Sequence, residues 1–169
     1  VEAEAQGHGA SVLTKGGKCV ALFTFIHDDT RQGADELIPE LHKRGISVEI
    51  LSGDHQGAVD RFAASVGLAA NAAHGSLSPE EKVAWVRSRS KTHVTMMVGD
   101  GFNDAAALAV SDVGVAVGSG ESVNVEAAAV LIPGHDPRIL TYLIALARKT
   151  APTFQPNLTF SNSVTIALV

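Results

Sequence analysis

Short apolar runs alternate with amphipathic segments along most of the chain. Apolar runs typical of strands lie at residues 20–26, 47–51, 68–73, 93–98, 113–117 and 128–132. Patterns typical of helices lie at residues 31–44, 55–66, from 78 onwards, 102–110, near 121–126 and 136–150. Strands that alternate with helices predict an α/β fold, a doubly wound parallel sheet with crossover helices. In such sheets the active site lies at the carboxyl ends of the strands.

The first part of the chain does not join this alternation. It is interrupted by Gly7, Gly9, Gly16 and Gly17. Residues 10–14 could pair with residues 18–22 as a hairpin. The continuous apolar run at 20–26 is instead typical of a buried strand. We therefore expect the parallel sheet to begin at residue 20.

Composition and charge narrow the class of protein. Aromatic residues make up 5% of the chain, and its many small aliphatic residues suit helices packed closely on a parallel sheet. The net charge of −5 argues against a nucleic-acid partner, which requires a basic surface. A single cysteine excludes an intrachain disulfide and a cysteine-based zinc site.

Both ends of the chain look like cuts. The chain begins with Val1 rather than methionine, and residues 158–169 stop within an apolar run that contains Ser, Thr and Asn. That run is shorter than the roughly 20 apolar residues that span a bilayer, so we interpret it as the start of a membrane helix. The alternative is a whole small soluble protein with an apolar tail.

The clearest candidate site follows the fourth apolar run. Gly99 and Gly101 permit a tight turn where the strand ends. Asp100, Asn103 and Asp104 then place oxygen donors close together in the sequence. Mg²⁺ prefers such donors and keeps waters and a phosphate as its other ligands. The alternative is an ordinary turn rich in Asp, Asn and Gly, which accounts poorly for two carboxylates and an asparagine.

Two weaker candidates precede this loop. Ser52, Gly53 and Asp54 end one strand and open a helix, where a hydroxyl and backbone N–H groups can hold a phosphoryl oxygen. Lys82 lies near the start of a later helix and could place its positive charge against the same group. Taken alone, the first is also an ordinary capping loop and the second an ordinary solvated lysine. The order of all three along the chain is the more specific signal.

These segments resemble the haloacid-dehalogenase superfamily and, within it, the heavy-metal group of P-type cation-transporting ATPases. The resemblance is carried by Leu-Ser-Gly-Asp at 51–54, Pro-Glu-Glu-Lys-Val at 79–83 and Val-Gly-Asp-Gly-Phe-Asn-Asp-Ala-Ala-Ala-Leu-Ala at 98–109. Residues 28–31, Asp-Asp-Thr-Arg, are similar to the family's Asp-x-x-Arg segment. The resemblance covers nearly the whole chain and implies a Rossmann-like phosphorylation domain.

The resemblance also implies a role for each candidate residue. The implied magnesium ligands are Asp100 and Asp104. The implied cofactor-binding residues are Asp28, Arg31 and Asn103. The implied catalytic residues around the acyl-phosphate are Lys82, Ser52, Gly53, Asp54 and Asp104. The implied cofactors are Mg²⁺ and ATP.

One departure limits the resemblance. The Asp-Lys-Thr-Gly motif that carries the family's nucleophilic aspartate does not occur in this sequence, nor does the adenine-binding His-Pro pair. Both lie upstream in the family, so we expect this chain alone to be inactive. The expected division is a remnant of a nucleotide-binding domain at 1–19, the phosphorylation domain at 20–136, a stalk helix at 137–157 and the start of a transmembrane helix at 158–169.

The implied whole protein is a multi-pass cell-membrane pump with this segment on the cytoplasmic side. It would hydrolyse ATP through an aspartyl-phosphate and move a metal cation. Its partners would be that cation, the membrane and the rest of the same polypeptide. Residues 157–169 lack the Tyr-Asn pair associated with copper pumps of this group, which favours zinc, cadmium or cobalt.

Two alternatives stay open. The first is a stand-alone magnesium-dependent phosphatase of the same superfamily, with Asp28 or Asp29 as nucleophile, although their context lacks the usual Asp-x-Asp form. The second is a catalytically dead binding or regulatory module that keeps only the magnesium loop.

Overall fold

The structure is a computed structural model that describes residues 9–25, 33–99, 102–118, 125–134 and 136–167. The strands are β1 (Gly9–Lys15), β2 (Lys18–Phe25), β3 (Ile50–Leu51), β4 (Ala73–His74), β5 (Met96–Gly99), β6 (Val113–Gly118) and β7 (Val130–Pro133). The helices are α1 (Ala34–Lys43), α2 (Gln56–Ser65), α3 (Pro79–Ser90), α4 (Ala105–Val110) and α5 (Ile139–Ala167). Short 3₁₀ turns lie at Ala70–Ala72, Phe102–Asp104 and Val125–Ala127.

Parallel strand pairing confirms the predicted α/β fold. β3 pairs with β4 in parallel, and β5, β6 and β7 form a parallel set in that order. The predicted single sheet is divided, because within the described ranges no hydrogen-bonded ladder joins β3 to β5. One edge of β3 and one edge of β5 therefore have no strand partner among these residues.

The hairpin predicted near the start of the chain is confirmed, but the buried strand predicted at 20–26 is wrong. β1 and β2 pair antiparallel, and Val20 is 60% exposed. Gly16 and Gly17 have φ values of 58° and 76°, the left-handed backbone of a tight hairpin turn. Because the chain reverses there, β2 pairs with its sequence neighbour instead of entering the parallel set. The hairpin also crosses the predicted boundary at residue 20, which stays a prediction.

Among the described residues, buried apolar side chains form two clusters, and α1 contributes to both. Ile38 belongs to the cluster that includes Val59 and Ala63 of α2. Leu37 packs against the cluster centred on Val115 of β6. Adjacent helical residues point about 100° apart, since a helix has about 3.6 residues per turn. One helix therefore covers both strand sets.

Two of the predicted elements are corrected. The strand expected at 68–73 is a 3₁₀ turn followed by β4 at Ala73–His74, because the segment is rich in alanine and contains Asn71, which favours turns. In α2, Val59 and Ala63 are buried, while Phe62 on another face of the helix is 46% exposed. The last helix runs beyond residue 150 to Ala167.

The predicted stalk range and the predicted membrane range lie largely within this last helix. α5 covers most of 137–157 and continues without interruption into 158–167. In the part of the chain that the structure describes, no helix combines the length and apolar character needed to cross a bilayer. The division at residue 157 stays a prediction.

Candidate active site

An ion pair joins the start of α3 to the loop after β5. Lys82 Nζ lies 2.8 Å from Asp104 Oδ1, and the two side chains are 12% and 17% exposed. α3 begins where the sequence predicts, because Ser78 accepts from the Glu81 N–H and the Glu81 carboxylate accepts from the Ser78 N–H. This capping box places Lys82 in the first turn of the helix, facing the acidic loop.

Gly99 permits the close approach of Asp104 to the end of β5. A Cβ atom on Gly99 would lie 2.9 Å from Asp104 Cβ and 3.1 Å from Asp104 Oδ2. Only a residue without a side chain avoids that overlap. Gly99, which the sequence suggests as a turn former, therefore also allows the Asp104 carboxylate to lie against the end of β5.

The Ser52–Asp54 loop closes on itself at the end of β3. Ser52 Oγ donates to Asp54 Oδ2 over 3.0 Å and accepts from the Asp54 N–H over 3.1 Å. In contrast, none of the hydrogen bonds among the described residues engages the N–H of Gly53 or His55. The N-terminus of α2 thus presents backbone donors of the kind that bind phosphoryl oxygens.

Backbone hydrogen bonds tie this loop to the segment that leads into α3. The Ser52 N–H donates to the His74 carbonyl over 2.9 Å, and the Leu77 N–H donates to the Ser52 carbonyl over 3.0 Å. The Ser76 N–H donates to the Asp54 carbonyl over 2.6 Å. The two predicted phosphoryl-binding elements, the Ser52 loop and the start of α3, are therefore one hydrogen-bonded unit.

The predicted site residues are brought together in part. The structure brings Lys82 to the loop after β5, where it donates to Asp104 Oδ1 over 2.8 Å. Asn103 is exposed in the 3₁₀ turn beside it. Residues 28, 31 and 100 lie outside the described ranges. The catalytic, cofactor and metal roles of all these residues stay predictions.

The described oxygen donors partly fit a magnesium ion. Asp104 and Asn103 supply a carboxylate and an amide, the hard donors that Mg²⁺ prefers. However, the Lys82 ammonium already holds Asp104 Oδ1. Within the described ranges no three acidic, histidine or cysteine side chains form a metal-binding group. The magnesium roles of Asp100 and Asp104 therefore stay predictions.

A polar cluster on α3 has no counterpart among the predicted site residues. Glu49 accepts from Trp85 Nε1 over 2.6 Å and pairs with Arg89 over 2.7 Å. Burial raises the pKa of Glu49, but the hydrogen bonds from Trp85 and Arg89 and the Arg89 charge outweigh it, so the pKa lies below its ordinary value. The i, i+4 spacing of Trp85 and Arg89 shows that they share a helix face, yet nothing in the sequence connects them to Glu49.

Residues 2–112 match the haloacid dehalogenase-like hydrolase family, and the chain belongs to that family. Over 162 residues the chain is 34% identical to a probable cadmium-transporting ATPase of Alkalihalophilus pseudofirmus, and over 153 residues it is 35% identical to a copper-exporting P-type ATPase B of Archaeoglobus fulgidus. These matches cover 94% and 90% of this chain, respectively.

A solved structure supports the same relationship. The chain is similar to a zinc-transporting PIB-type ATPase in its E2.Pi state, with a TM-score of 0.75 and 30% identity. The match covers 99% of this chain and 27% of that one. The chain spans 22% of the length of each of the two ATPases named above.

Proposed function

We propose that this chain is part of an ATP-driven heavy-metal cation pump and belongs to its phosphorylation domain. The observation that carries the proposal is the ion pair between Lys82 and Asp104, the last residue of the Gly-Asp-Gly-Phe-Asn-Asp sequence. In addition, residues 76–77, which lead into the helix of Lys82, are hydrogen-bonded to the Ser52 loop. The heavy-metal ATPase relatives, which match nearly the whole chain, support the same conclusion.

The proposed reaction has two phosphoryl transfers. An aspartate carboxylate oxygen attacks the γ-phosphorus of ATP, the bond to the β-phosphate oxygen breaks, and ADP leaves. Water then attacks the phosphorus of the aspartyl-phosphate, a proton is lost, and phosphate and the carboxylate are released. In both steps Lys82 offsets negative charge on the phosphoryl oxygens, while the Ser52 hydroxyl and the Gly53 N–H orient them. A bound Mg²⁺, held by Asp100 with Asn103 nearby, would supply further charge neutralisation.

We place the nucleophilic aspartate on a strand from another part of the longer protein. The sequence of 169 residues contains no Asp-Lys-Thr-Gly motif. β3 and β5, whose carboxyl ends carry the Ser52 loop and the Asp104 loop, each have one edge without a strand partner among the described residues. A parallel strand pairing there would bring its own carboxyl end to both loops.

The remaining assignments follow from the same proposal. Residues 20–136 would be the phosphorylation domain, residues 1–19 a remnant of the nucleotide-binding domain, and α5 would lead from the cytoplasmic side towards a multi-pass membrane region. The transported ion would be zinc, cadmium or cobalt. Relatives named for cadmium and for copper match the chain almost equally well, so that choice rests on residues 157–169 alone.

Phosphorylation with γ-labelled ATP tests this function. We expect a longer protein that contains this segment and an upstream Asp-Lys-Thr-Gly to form an acid-stable, hydroxylamine-labile phosphoenzyme, and the chain of residues 1–169 to form none. A phosphoenzyme on the isolated chain would contradict the proposal. It would favour the stand-alone phosphatase, with Asp28 or Asp29 as the nucleophile.

A further inference from the structure

The side chain of Gln56 connects the start of α2 to the edge of β4 that faces away from β3. Its amide Nε2 donates to the Ala73 carbonyl over 2.9 Å and to Asp60 Oδ1 over 2.7 Å. Its Oε1 accepts from the Gly75 N–H over 2.6 Å. Both amide hydrogens and the amide oxygen are therefore engaged.

The two backbone groups that Gln56 binds are those of a strand edge. The Ala73 carbonyl and the Gly75 N–H flank His74, and they are the pair that a neighbouring parallel strand would use. On the opposite side, the His74 carbonyl accepts from the Ser52 N–H. The Gln56 amide thus takes the place of a peptide group from one more strand.

The segment at residues 75–77, which Gln56 binds, has a backbone conformation that few residues adopt. A Cβ atom on Gly75 would lie 2.6 Å from Gln56 Cα, so the loop packs directly on the start of α2. The next residue, Ser76, has a φ of 57°, the left-handed region that residues other than glycine seldom occupy. Such backbone persists only where surrounding contacts hold it. Here those contacts are the bonds to Gln56 and to the Ser52–Asp54 loop.

This segment supports both halves of the proposed phosphoryl site. Its N–H groups at Ser76 and Leu77 bind the carbonyls of Asp54 and Ser52. Directly after this segment, the Ser78 side chain caps α3, and the Ser78 carbonyl accepts from the Lys82 N–H over 3.0 Å. A shift of the segment would therefore move the Ser52 hydroxyl and the Lys82 ammonium relative to each other.

We propose that Gln56 is a positioning residue for phosphoryl transfer. It binds the edge of β4 and holds the residue 75–77 segment in the conformation that aligns Ser52 with Lys82. This inference rests on the proposed function, because it concerns the rate of that reaction. The Gln56 amide is engaged by Asp60, Ala73 and Gly75, so the proposed role is to position Ser52 and Lys82.

Amide hydrogen exchange on the chain of residues 1–169 tests the structural half. Gln56→Met removes the amide and keeps a side chain of similar length. We expect the amides of residues 75–77 to exchange about tenfold faster or more, and the amides of β6 to be unchanged. Asp60→Asn is the matched control, because it keeps an acceptor for Gln56 and should leave residues 75–77 protected. Unchanged exchange at residues 75–77 in Gln56→Met would overturn the inference.

Phosphorylation kinetics in the longer protein test the functional half. Because positioning errors of about 1 Å cost up to about 100-fold, we expect Gln56→Met to slow phosphoenzyme formation by about 10- to 100-fold. The ATP concentration for half-maximal rate should stay the same, since the donors and the acceptor of the Gln56 amide are all engaged by protein groups. Asp60→Asn should keep the wild-type rate.

The possible outcomes separate this inference from the proposed function. Faster exchange at residues 75–77 with a wild-type phosphorylation rate would overturn the positioning role and leave the proposed function intact. A wild-type protein that forms no phosphoenzyme would overturn both. If the β6 amides also exchange faster in Gln56→Met, the test uses Gln56→Glu instead. The glutamate keeps an acceptor for the Gly75 N–H and loses both amide donors. A wild-type rate in Gln56→Glu would equally overturn the inference.

Discussion

Lys82 and Asp104 form an ion pair across two elements that are separated in sequence by 22 positions. The ammonium lies 2.8 Å from Oδ1, and both side chains are mostly withdrawn from solvent. A pair this shielded differs from a surface salt bridge, because each charge depends on the other for compensation. The pair also fixes how the loop after β5 and α3 face each other.

A double-mutant cycle on this pair should show strong coupling. Lys82→Met leaves the Asp104 carboxylate without its partner, and Asp104→Asn leaves the ammonium without a charge. We expect each single change to lower the free energy of unfolding by about 2–3 kcal/mol, with a coupling energy of about 1 kcal/mol or more. Urea denaturation of the four proteins measures both, and Lys91→Met, at an exposed position after the same helix, is the control. Additive single effects would show that the pair contributes no stability.

Asp100→Asn should separate magnesium dependence from folding. The substitution keeps the size and shape of the side chain but removes one negative charge from the predicted ion site. In the longer protein we expect loss of Mg²⁺-dependent phosphorylation with an unchanged thermal midpoint. The measurement is the phosphorylation rate across a Mg²⁺ titration. Wild-type rates throughout the titration would remove the magnesium role from this loop.

Glycine replacements should have opposite effects at positions 57 and 75. In Gly75→Ala the new Cβ would meet Gln56 Cα at 2.6 Å, so we expect a loss of about 1–3 kcal/mol in the free energy of unfolding. In Gly57→Ala the nearest atom is His55 Nδ1 at 3.4 Å, and the helix gains from alanine by about 0.5–1 kcal/mol. Chemical denaturation of the two variants checks the sign of each change. Equal effects would show that the loop adjusts freely around position 75.

Acid should weaken the contact between Glu49 and α3. Burial raises the pKa of folded Glu49, but the hydrogen bonds from Trp85 and Arg89 and the Arg89 charge lower it below 4.5. The contribution of Glu49 to stability is therefore present above its unfolded pKa and is lost as pH falls through the folded pKa. We expect Glu49→Gln to lose less stability than wild type between about pH 6 and about pH 3.

The comparison with wild type isolates Glu49 from other carboxylates. The pKa of Asp112 is also lowered, mainly by the Thr95 N–H and hydroxyl, and this acid-sensitive contribution is the same in both proteins. Thermal unfolding followed by circular dichroism at each pH gives the difference. Parallel curves for wild type and Glu49→Gln would contradict the assignment.

The sequence by itself determined the features that depend on neighbours along the chain. The start of α3 was predictable because the Ser78 and Glu81 groups that cap it lie three residues apart. The hairpin around Gly16 and Gly17 was predictable for the same reason, although the apolar run after it wrongly suggested a buried strand. The class of site was visible from the order of its motifs and from their resemblance to a known family.

Only the tertiary structure decided how distant groups meet. Gln56 reaches Gly75 across 19 positions, and Glu49 reaches Trp85 across 36, and neither pair has a pattern in the sequence. Apolar periodicity states which face of an element is buried, but not which element covers it. The partners of a polar side chain depend on the relative placement of whole helices and strands. For that reason the hydrogen bonds of Gln56 that hold the segment between Ser52 and Lys82 were visible only in the folded chain.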